Sequence, residues 1–179
     1  IKGSNGTGKS TLLNIFIGLL RPNKGKIKID GKDLHNNKSL LFNWKMNIGY
    51  VDQKNFFTDD MVSNVIAFGE EEELIDKKKI NKCLKAVGLE KIFGSLEDKL
   101  GEGGKKFSGG QLQRLNIARA LYDDPKIYVF DEITNNLDKK SMTQVISLLR
   151  KLKETHLILI TSHNDNILNE CDSIIDLNL

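Results

Sequence analysis

The sequence predicts an α/β protein with a largely parallel sheet and an inserted helical segment. Two wholly apolar stretches, 127–130 and 157–160, have the composition of strands buried on both faces of a parallel sheet. Segments with helical periodicity alternate with the candidate strands, and this alternation is typical of α/β cores. Between residues 56 and 107, by contrast, helical periodicity occurs without strand patterns.

Composition excludes several classes of protein. At 179 residues the chain has the length of one domain. Its 27 basic and 24 acidic residues give a formal charge of +3, and no direct contact with nucleic acid is expected from so small an excess. Neither Cys83 nor Cys171 belongs to a metal-ligand pattern. The most apolar stretch, 12–20, falls short of the roughly 18 residues that a membrane span requires.

The first third of the chain should contain a loop, a helix and two strands. A glycine-rich loop over 3–10 continues as a helix over 11–20, whose apolar residues cover most faces and predict a buried helix. A turn leads to an alternating strand over 26–30, which Gly31 ends. A short apolar strand follows over 48–51.

Helices dominate the predictions beyond this point. Apolar residues at i, i+3, i+4 and i+7 predict a helix over 80–87, which Gly88 terminates. Further helices are expected over 108–122 and 142–152, and residues 174–177 resemble the start of a strand. Because little chain precedes the opening loop, we expect an N-terminally truncated fragment.

The opening loop carries the first chemical signal. Its sequence fits G-x-x-x-x-G-K-[ST], the P-loop, in which backbone N–H groups and the following helix dipole converge on phosphate oxygens. Lys9 would reach the β- and γ-phosphates, and the Ser10 hydroxyl would ligate Mg²⁺. The sequence therefore predicts a P-loop NTPase (RecA-like) core whose nucleotide contacts are Gly3, Ser4, Asn5, Gly6, Gly8, Lys9, Ser10 and Thr11.

Two carboxylates end the apolar strand over 127–130. In P-loop enzymes an aspartate in this position holds the Mg²⁺ that bridges the phosphates, which is the role predicted for Asp131. The adjacent Glu132 would polarise the attacking water. Strands often end in acidic residues, so this prediction depends on the P-loop in the same chain.

A second anion cradle begins the helix over 108–122. A serine followed by two glycines at a helix start presents N–H groups and a hydroxyl to an anion. With its flanking residues this segment resembles the signature L-S-G-G-Q of the ABC ATPase superfamily, with phenylalanine in place of leucine. It comprises Phe107, Ser108, Gly109, Gly110 and Gln111. The resemblance implies that this cradle closes on the γ-phosphate held by a second subunit, in a head-to-tail dimer.

The resemblance extends over nearly the whole chain. Gln53 matches the glutamine of the Q-loop, although Asp52 stands where the family usually has proline. Residues 135–138 match the D-loop, in which Asp138 agrees and the two asparagines depart. His163, after the strand over 157–160, matches the histidine that supports the γ-phosphate. The family also stacks adenine on an aromatic residue that would precede this chain.

Together these matches imply an ATPase that uses ATP and Mg²⁺. The implied catalytic residues are Glu132, His163 and Gln53, and the implied metal ligands are Ser10, Gln53 and Asp131. The second cradle would add nucleotide contacts from Ser108, Gly109, Gly110, Gln111 and Asp138. The chain should divide into a first core part (1–55), a helical signature subdomain (56–109) and a second core part (110–179).

Two segments favour an exporter among ABC proteins. Residues 100–104 resemble the exporter X-loop, and residues 56–69 resemble the exporter segment that docks the membrane domain. The expected partners are therefore a transmembrane domain and a second ATP-binding domain, at the cytoplasmic face of a membrane. An importer ATPase subunit and a soluble ABC protein acting on ribosomes or nucleic acid remain the alternatives.

Overall fold

The structure, a computed structural model, describes residues 1–135 and 137–178. Its helices and strands alternate along the chain, as expected for an α/β core. In chain order they are α1 (Lys9–Phe16), β1 (Lys28–Ile29), β2 (Lys32–Asp33), α2 (Lys38–Met46), β3 (Ile48–Val51), α3 (Val62–Ile66), α4 (Lys77–Ala86), α5 (Gly109–Tyr122), β4 (Ile127–Asp131), α6 (Lys139–Leu152), β5 (Leu157–Thr161) and α7 (Asp165–Leu168).

Strand β4 is the centre of a parallel sheet with the order β3-β4-β5. All five β4 residues are buried, as their wholly apolar run predicts. The registers pair Val51 with Phe130 and Asp131 with Thr161, so the carboxyl ends of the strands meet at one edge. This arrangement confirms the α/β fold class with a parallel sheet.

Helices α3, α4 and α5 pack together beside the sheet, which agrees with the inserted helical segment. Their apolar faces join the sheet in one hydrophobic cluster that includes Ile80, Leu84, Leu115 and Phe130. Between residues 56 and 107, all of which the structure describes, β pairing is limited to a single bridge formed with Lys99. Helix α5 contacts both the other helices and β3, and it therefore connects the helical segment to the core.

Three expectations about the elements were wrong in extent. Helix α1 ends at Phe16 because the chain turns through Gly18, which has a φ of 82°. It is also not buried all round, since the Leu12 side chain is 38% exposed. The strand expected over 26–30 is only two residues long, because positive φ angles at Asp30 and Gly31 turn the chain into the β1–β2 hairpin.

Strand β5 is less buried than its apolar sequence predicts. Leu157 at its start is 57% exposed, whereas Ile160 is buried. On its outer side the carboxyl end of β5 pairs with Ile1, whose ammonium donates to Ile160 O at 2.6 Å and whose carbonyl accepts from Ser162 N at 3.1 Å. Residues 174–177 contribute a single parallel bridge to Lys2 in place of a longer strand.

Helix α2 was missed by the sequence reasoning. The Asn37 side chain caps its first turn by accepting a hydrogen bond from Leu40 N at 2.9 Å. Trp44 fixes the helix against the end of α1, because its indole N–H donates to Phe16 O at 2.8 Å.

Within the described residues, no helix is both long enough and apolar enough to cross a bilayer.

Candidate functional site

The loop before α1 forms one wall of a cavity of about 370 Å³, here called the P-loop cavity. Gly6 and Gly8 have φ angles of 85° and 92°, and an added Cβ would meet no atom within 4 Å at either position. The backbone conformation, not crowding, therefore requires glycine at both positions. The lining comprises Asn5, Gly6, Gly8, Lys9, Ser10, Thr11, Gln53 and Glu132.

The Lys9 ammonium lies inside this loop and is only 7% exposed. It donates to the carbonyl oxygens of Gly3 at 2.8 Å and Ser4 at 3.1 Å. It also lies 3.3 Å from Glu132 Oε1. The loop thus holds a buried positive charge beside the cavity, where an anion entering the loop would meet it.

Asp131 and Glu132 are fixed at the carboxyl end of β4 by a hydroxyl from β5. The Thr161 hydroxyl donates to Asp131 Oδ1 and accepts from Glu132 N at 3.0 Å. Both carboxylates are nearly buried, at 2% and 5% exposed. Sequence reasoning gave Thr161 no role of its own. The parallel register, which no sequence pattern specified, places it opposite Asp131.

Glu132 lies between two basic side chains. Its Oε1 faces Lys9, and its Oε2 lies 3.0 Å from Nδ1 of the largely exposed His163. Among the described residues no donor is aligned with Oε2 for a hydrogen bond, and its near neighbour is the His163 imidazole. The backbone at Glu132 is left-handed, with a φ of 51°. A carboxylate held in this way can orient a water molecule and accept its proton.

The predicted metal ligands are an alcohol, an amide and one carboxylate. Ser10 and Gln53 line the P-loop cavity, and Asp131 is buried one residue before Glu132. Among the described residues, no group of three or more His, Cys, Asp or Glu side chains could hold a metal. Mg²⁺ commonly takes one or two protein carboxylates and completes its shell with water and substrate phosphates, so this donor set fits Mg²⁺.

The start of α5 borders a second cavity of about 390 Å³, the signature cavity. Ser108 Oγ accepts a hydrogen bond from Gln111 N at 3.2 Å, and Gln111 Oε1 accepts from Ser108 N at 2.9 Å. This capping box leaves the Ser108 hydroxyl proton free to be donated. Gln111 does not line the cavity, whose walls are Ser108, Gly109, Gly110, Arg114, Asp138 and Ser141.

Asp138 both lines the signature cavity and caps helix α6. Its Oδ1 accepts from Ser141 N at 2.7 Å, and this hydrogen bond lowers the pKa of the Asp138 carboxyl. The remainder of the predicted D-loop includes Asn136, which lies outside the described residues. The two cavities have no lining residue in common, so they are separate surfaces of the chain.

The segments resembling exporter sequences flank the helical part of the chain. Gly101 N donates to Asp59 Oδ1 at 3.1 Å, which ties residues 100–104 to the loop before α3. The side chains of Phe56 and Phe68 are 78% and 69% exposed. These two aromatic rings therefore lie on the surface of the predicted docking segment.

Comparisons with known proteins identify the family of the chain. The family model described as ABC transporter matches residues 1–135. Over 172 residues the chain is 37% identical to the energy-coupling factor transporter ATP-binding protein EcfA1 of Mycoplasma mobile, covering 92% of this chain and 60% of that protein. Over 178 residues it is 33% identical to an ATP-dependent lipid A-core flippase of Ralstonia nicotianae, covering 97% of this chain and 30% of the flippase.

Solved structures show the same fold. A bacterial Atm1-family ABC exporter with ATP bound superposes with a TM-score of 0.89 and 26% identity, covering 99% of this chain and 31% of the exporter. An ATP-binding cassette in a dimeric post-hydrolysis state, bound to ADP and Pi, gives a TM-score of 0.83 and 28% identity over 99% of this chain and 79% of the cassette. From the family model and these relatives, the chain belongs to the ABC transporter family.

Proposed function

We propose that this chain binds ATP with Mg²⁺ and hydrolyses it as the nucleotide-binding domain of an ABC exporter, at the cytoplasmic face of a membrane. The observation that carries the proposal is the buried Glu132 carboxylate, held in the P-loop cavity between Lys9 and His163. A nucleotide phosphate chain entering this cavity would meet a cation, a helix N-terminus and a positioned base together.

In the proposed complex, the loop N–H groups and Lys9 bind the phosphates. Ser10, Gln53 and Asp131 would hold Mg²⁺, which neutralises charge that develops on the phosphate oxygens. Glu132 orients the attacking water and accepts its proton, and His163 supports the γ-phosphate. Thr161 keeps Asp131 and Glu132 in a fixed relation during the reaction, because its hydroxyl contacts both residues.

The signature cavity is proposed to act on the nucleotide of a second copy. It shares no lining residue with the P-loop cavity. The simplest arrangement in which both cavities contact one nucleotide is therefore a dimer with a two-fold axis. The Ser108 hydroxyl and the N–H groups of Gly109 and Gly110 would then donate to the γ-phosphate. Dimeric cassettes among the solved relatives support this arrangement. Loss of the γ-phosphate on hydrolysis would release one face of the dimer.

Transport by export is favoured over the importer alternative. Several relatives at 32–33% identity that cover 97% of this chain are ATP-dependent lipid A-core flippases, and an exporter with ATP bound has the same fold. The glycine-rich turn over 100–104 and the exposed Phe56 and Phe68 support the same class. The proposed partners are a transmembrane domain and a second ATP-binding domain.

Replacement of Glu132 by glutamine tests the proposed hydrolysis. Glu132→Gln keeps the shape of the side chain and removes its capacity to accept a proton. In the full-length protein, phosphate release should fall by about 10²-fold or more, while ATP binding persists. Glu154→Gln changes an exposed glutamate outside both cavities and should hydrolyse ATP at the wild-type rate. If Glu132→Gln also retains the wild-type rate, Glu132 is not the base.

A further inference from the structure

A row of polar side chains connects the loop that carries Gln53 to helix α5. Arg119 donates to Asn116 Oδ1 at 2.7 Å, and Asn116 Nδ2 donates to Asn55 Oδ1 at 3.3 Å. Asn55 Nδ2 in turn donates to Gln113 Oε1 at 2.9 Å. These four residues are called the amide chain below. Asn55 is its only member outside α5, two positions after Gln53.

The Arg119 guanidinium determines which group donates in every hydrogen bond of the amide chain. A guanidinium can only donate, so Arg119 requires the carbonyl oxygen of Asn116 to face it. The Asn116 amide must then donate to Asn55, and the Asn55 amide must donate to Gln113. The bonds are therefore mutually dependent, and substitution of Asn55 interrupts the series in its middle.

Burial makes the loss of these hydrogen bonds costly in free energy. Gln113 and Asn116 are each only 2% exposed, and a buried amide that loses its partner retains the cost of its desolvation. The same loop has a second attachment to the end of α5, since Arg119 donates to Phe56 O at 3.4 Å and its guanidinium lies 5.2 Å from the centroid of the Phe57 ring. The loop and α5 are thus bonded to each other at several successive positions.

The amide chain lies between two groups assigned to nucleotide binding. Gln53 lines the P-loop cavity, and Ser108 and Gly110 line the signature cavity at the N-terminus of α5. Gln113 follows Gly110 by three residues, which is close to one helical turn. Gln113, a partner of Asn55, therefore lies about one turn beyond the residues of α5 that line the signature cavity.

We propose that Asn55 is a positioning residue that aligns the signature helix with the γ-phosphate, by holding Gln113 and Asn116 through its two amide hydrogen bonds. This inference rests on the proposed function. It assigns a role to a side chain that touches neither cavity, and it makes the alignment of the signature cavity depend on the position of the loop that carries Gln53.

ADP and ATP separate this role from direct nucleotide binding. ADP lacks the γ-phosphate and needs only the P-loop cavity, whereas tight retention of ATP needs both cavities. In a full-length Glu132→Gln protein, Asn55→Ala should leave the ADP dissociation constant within about twofold. It should shorten the lifetime of retained ATP by roughly tenfold, as expected for the loss of two partly buried hydrogen bonds. Lys54→Ala, an exposed neighbour outside the amide chain, should change neither quantity.

Two further variants distinguish hydrogen bonding from packing. In Asn55→Asp, one oxygen still accepts from Asn116, and the other can accept from Gln113 after its amide turns over. This rotation is permitted because Gln113 Nε2 has no other partner among the described residues. Asn55→Asp should therefore restore most of the ATP lifetime, whereas Asn55→Leu should resemble Asn55→Ala. If the leucine variant matches the parent protein, Asn55 acts through packing and the proposal is overturned.

Hydrogen exchange in nucleotide-free protein tests the amide chain independently of the proposed function. Asn55→Ala should accelerate amide exchange in the first two turns of α5 relative to Lys54→Ala, with α6 unchanged as an internal reference. If the parent protein fails to retain ATP, the proposed function fails, but faster exchange in α5 still supports the coupling. Unchanged exchange together with unchanged ATP lifetime would show that Asn55 does not position α5.

Discussion

The Lys9 ammonium is surrounded by oxygen atoms of the protein. Two loop carbonyls and the Glu132 carboxylate satisfy it, so its charge is buried without being left unpaired. In the proposed mechanism the nucleotide phosphates add charge-assisted contacts to the same ammonium.

Removal of this ammonium should weaken nucleotide binding directly. A charge-assisted hydrogen bond contributes about 1.5–3 kcal/mol, so Lys9→Ala should raise the ATP dissociation constant by roughly 10- to 100-fold. Isothermal titration calorimetry measures this change. Lys91→Ala, which removes an exposed lysine of the helical segment, should bind ATP with the parent affinity. Equal affinity in Lys9→Ala and the parent protein would show that the loop does not bind phosphate as proposed.

Site residues that belong to short, contiguous patterns were predictable, and those defined by tertiary contact were not. The loop over 3–10 and the pair Asp131–Glu132 are recognisable because their chemistry depends on adjacent residues. The Thr161 hydroxyl acts on positions some 30 residues earlier, and Asn55 acts on α5 about 60 residues later. Such pairs become visible only when the register of the sheet and the packing of α5 are known.

At the scale of elements, the positions of the strands could be predicted from composition, but the lengths of the shorter elements could not. Strand β4 is buried as expected because each of its faces packs into a hydrophobic cluster, one with Tyr128 and Phe130 and the other with Ile127 and Val129. The apolar run over 11–20 failed as a guide to burial because α1 packs through only part of its surface, including the fully buried Leu13. Helix α2 was missed because its sequence leaves Phe42 and Met46 exposed, at 64% and 67%.

The cap of α2 should contribute measurably to stability. Asn37 is the side-chain acceptor for the first turn, and replacement of such a cap by alanine typically costs about 1 kcal/mol. For a protein of this size, Asn37→Ala should lower the midpoint of thermal unfolding by roughly 2–4 °C. Asn43→Ala, at an exposed position inside the same helix, should leave the midpoint unchanged or raise it. An unchanged midpoint in Asn37→Ala would show that the hydrogen bond is not stabilising.

At the scale of the whole molecule, the helical segment is not separate from the core. One hydrophobic cluster runs from α4 through α5 to β4, and α5 belongs to both parts. The division into residues 1–55, 56–109 and 110–179 stays a prediction. Within this division the amide chain joins the first core part, through Asn55, to the second core part, through Gln113 and Asn116 of α5.

Dimerisation through the signature cavity has its own test. In the complete ATP-binding domain carrying Glu132→Gln, light scattering should find a dimer with ATP and a monomer with ADP. Ser108→Arg should abolish the ATP dimer while sparing ATP binding to the monomer, because the larger side chain fills the signature cavity and leaves the P-loop cavity intact. Thr143→Arg adds the same charge at an exposed position of α6 and should still dimerise. Persistence of the dimer in Ser108→Arg would contradict the proposed interface.

The left-handed backbone at Glu132 lowers the stability of the fold at the position of the proposed base. A side chain other than glycine loses roughly 1–2 kcal/mol in this conformation, and glycine would recover much of it. Glycine would also remove the carboxylate paired with the buried Lys9 ammonium, which offsets the backbone gain. Selection for thermal resistance alone therefore has no simple route away from glutamate here, and a lineage could lose the proposed catalytic carboxylate cheaply only by losing Lys9 as well.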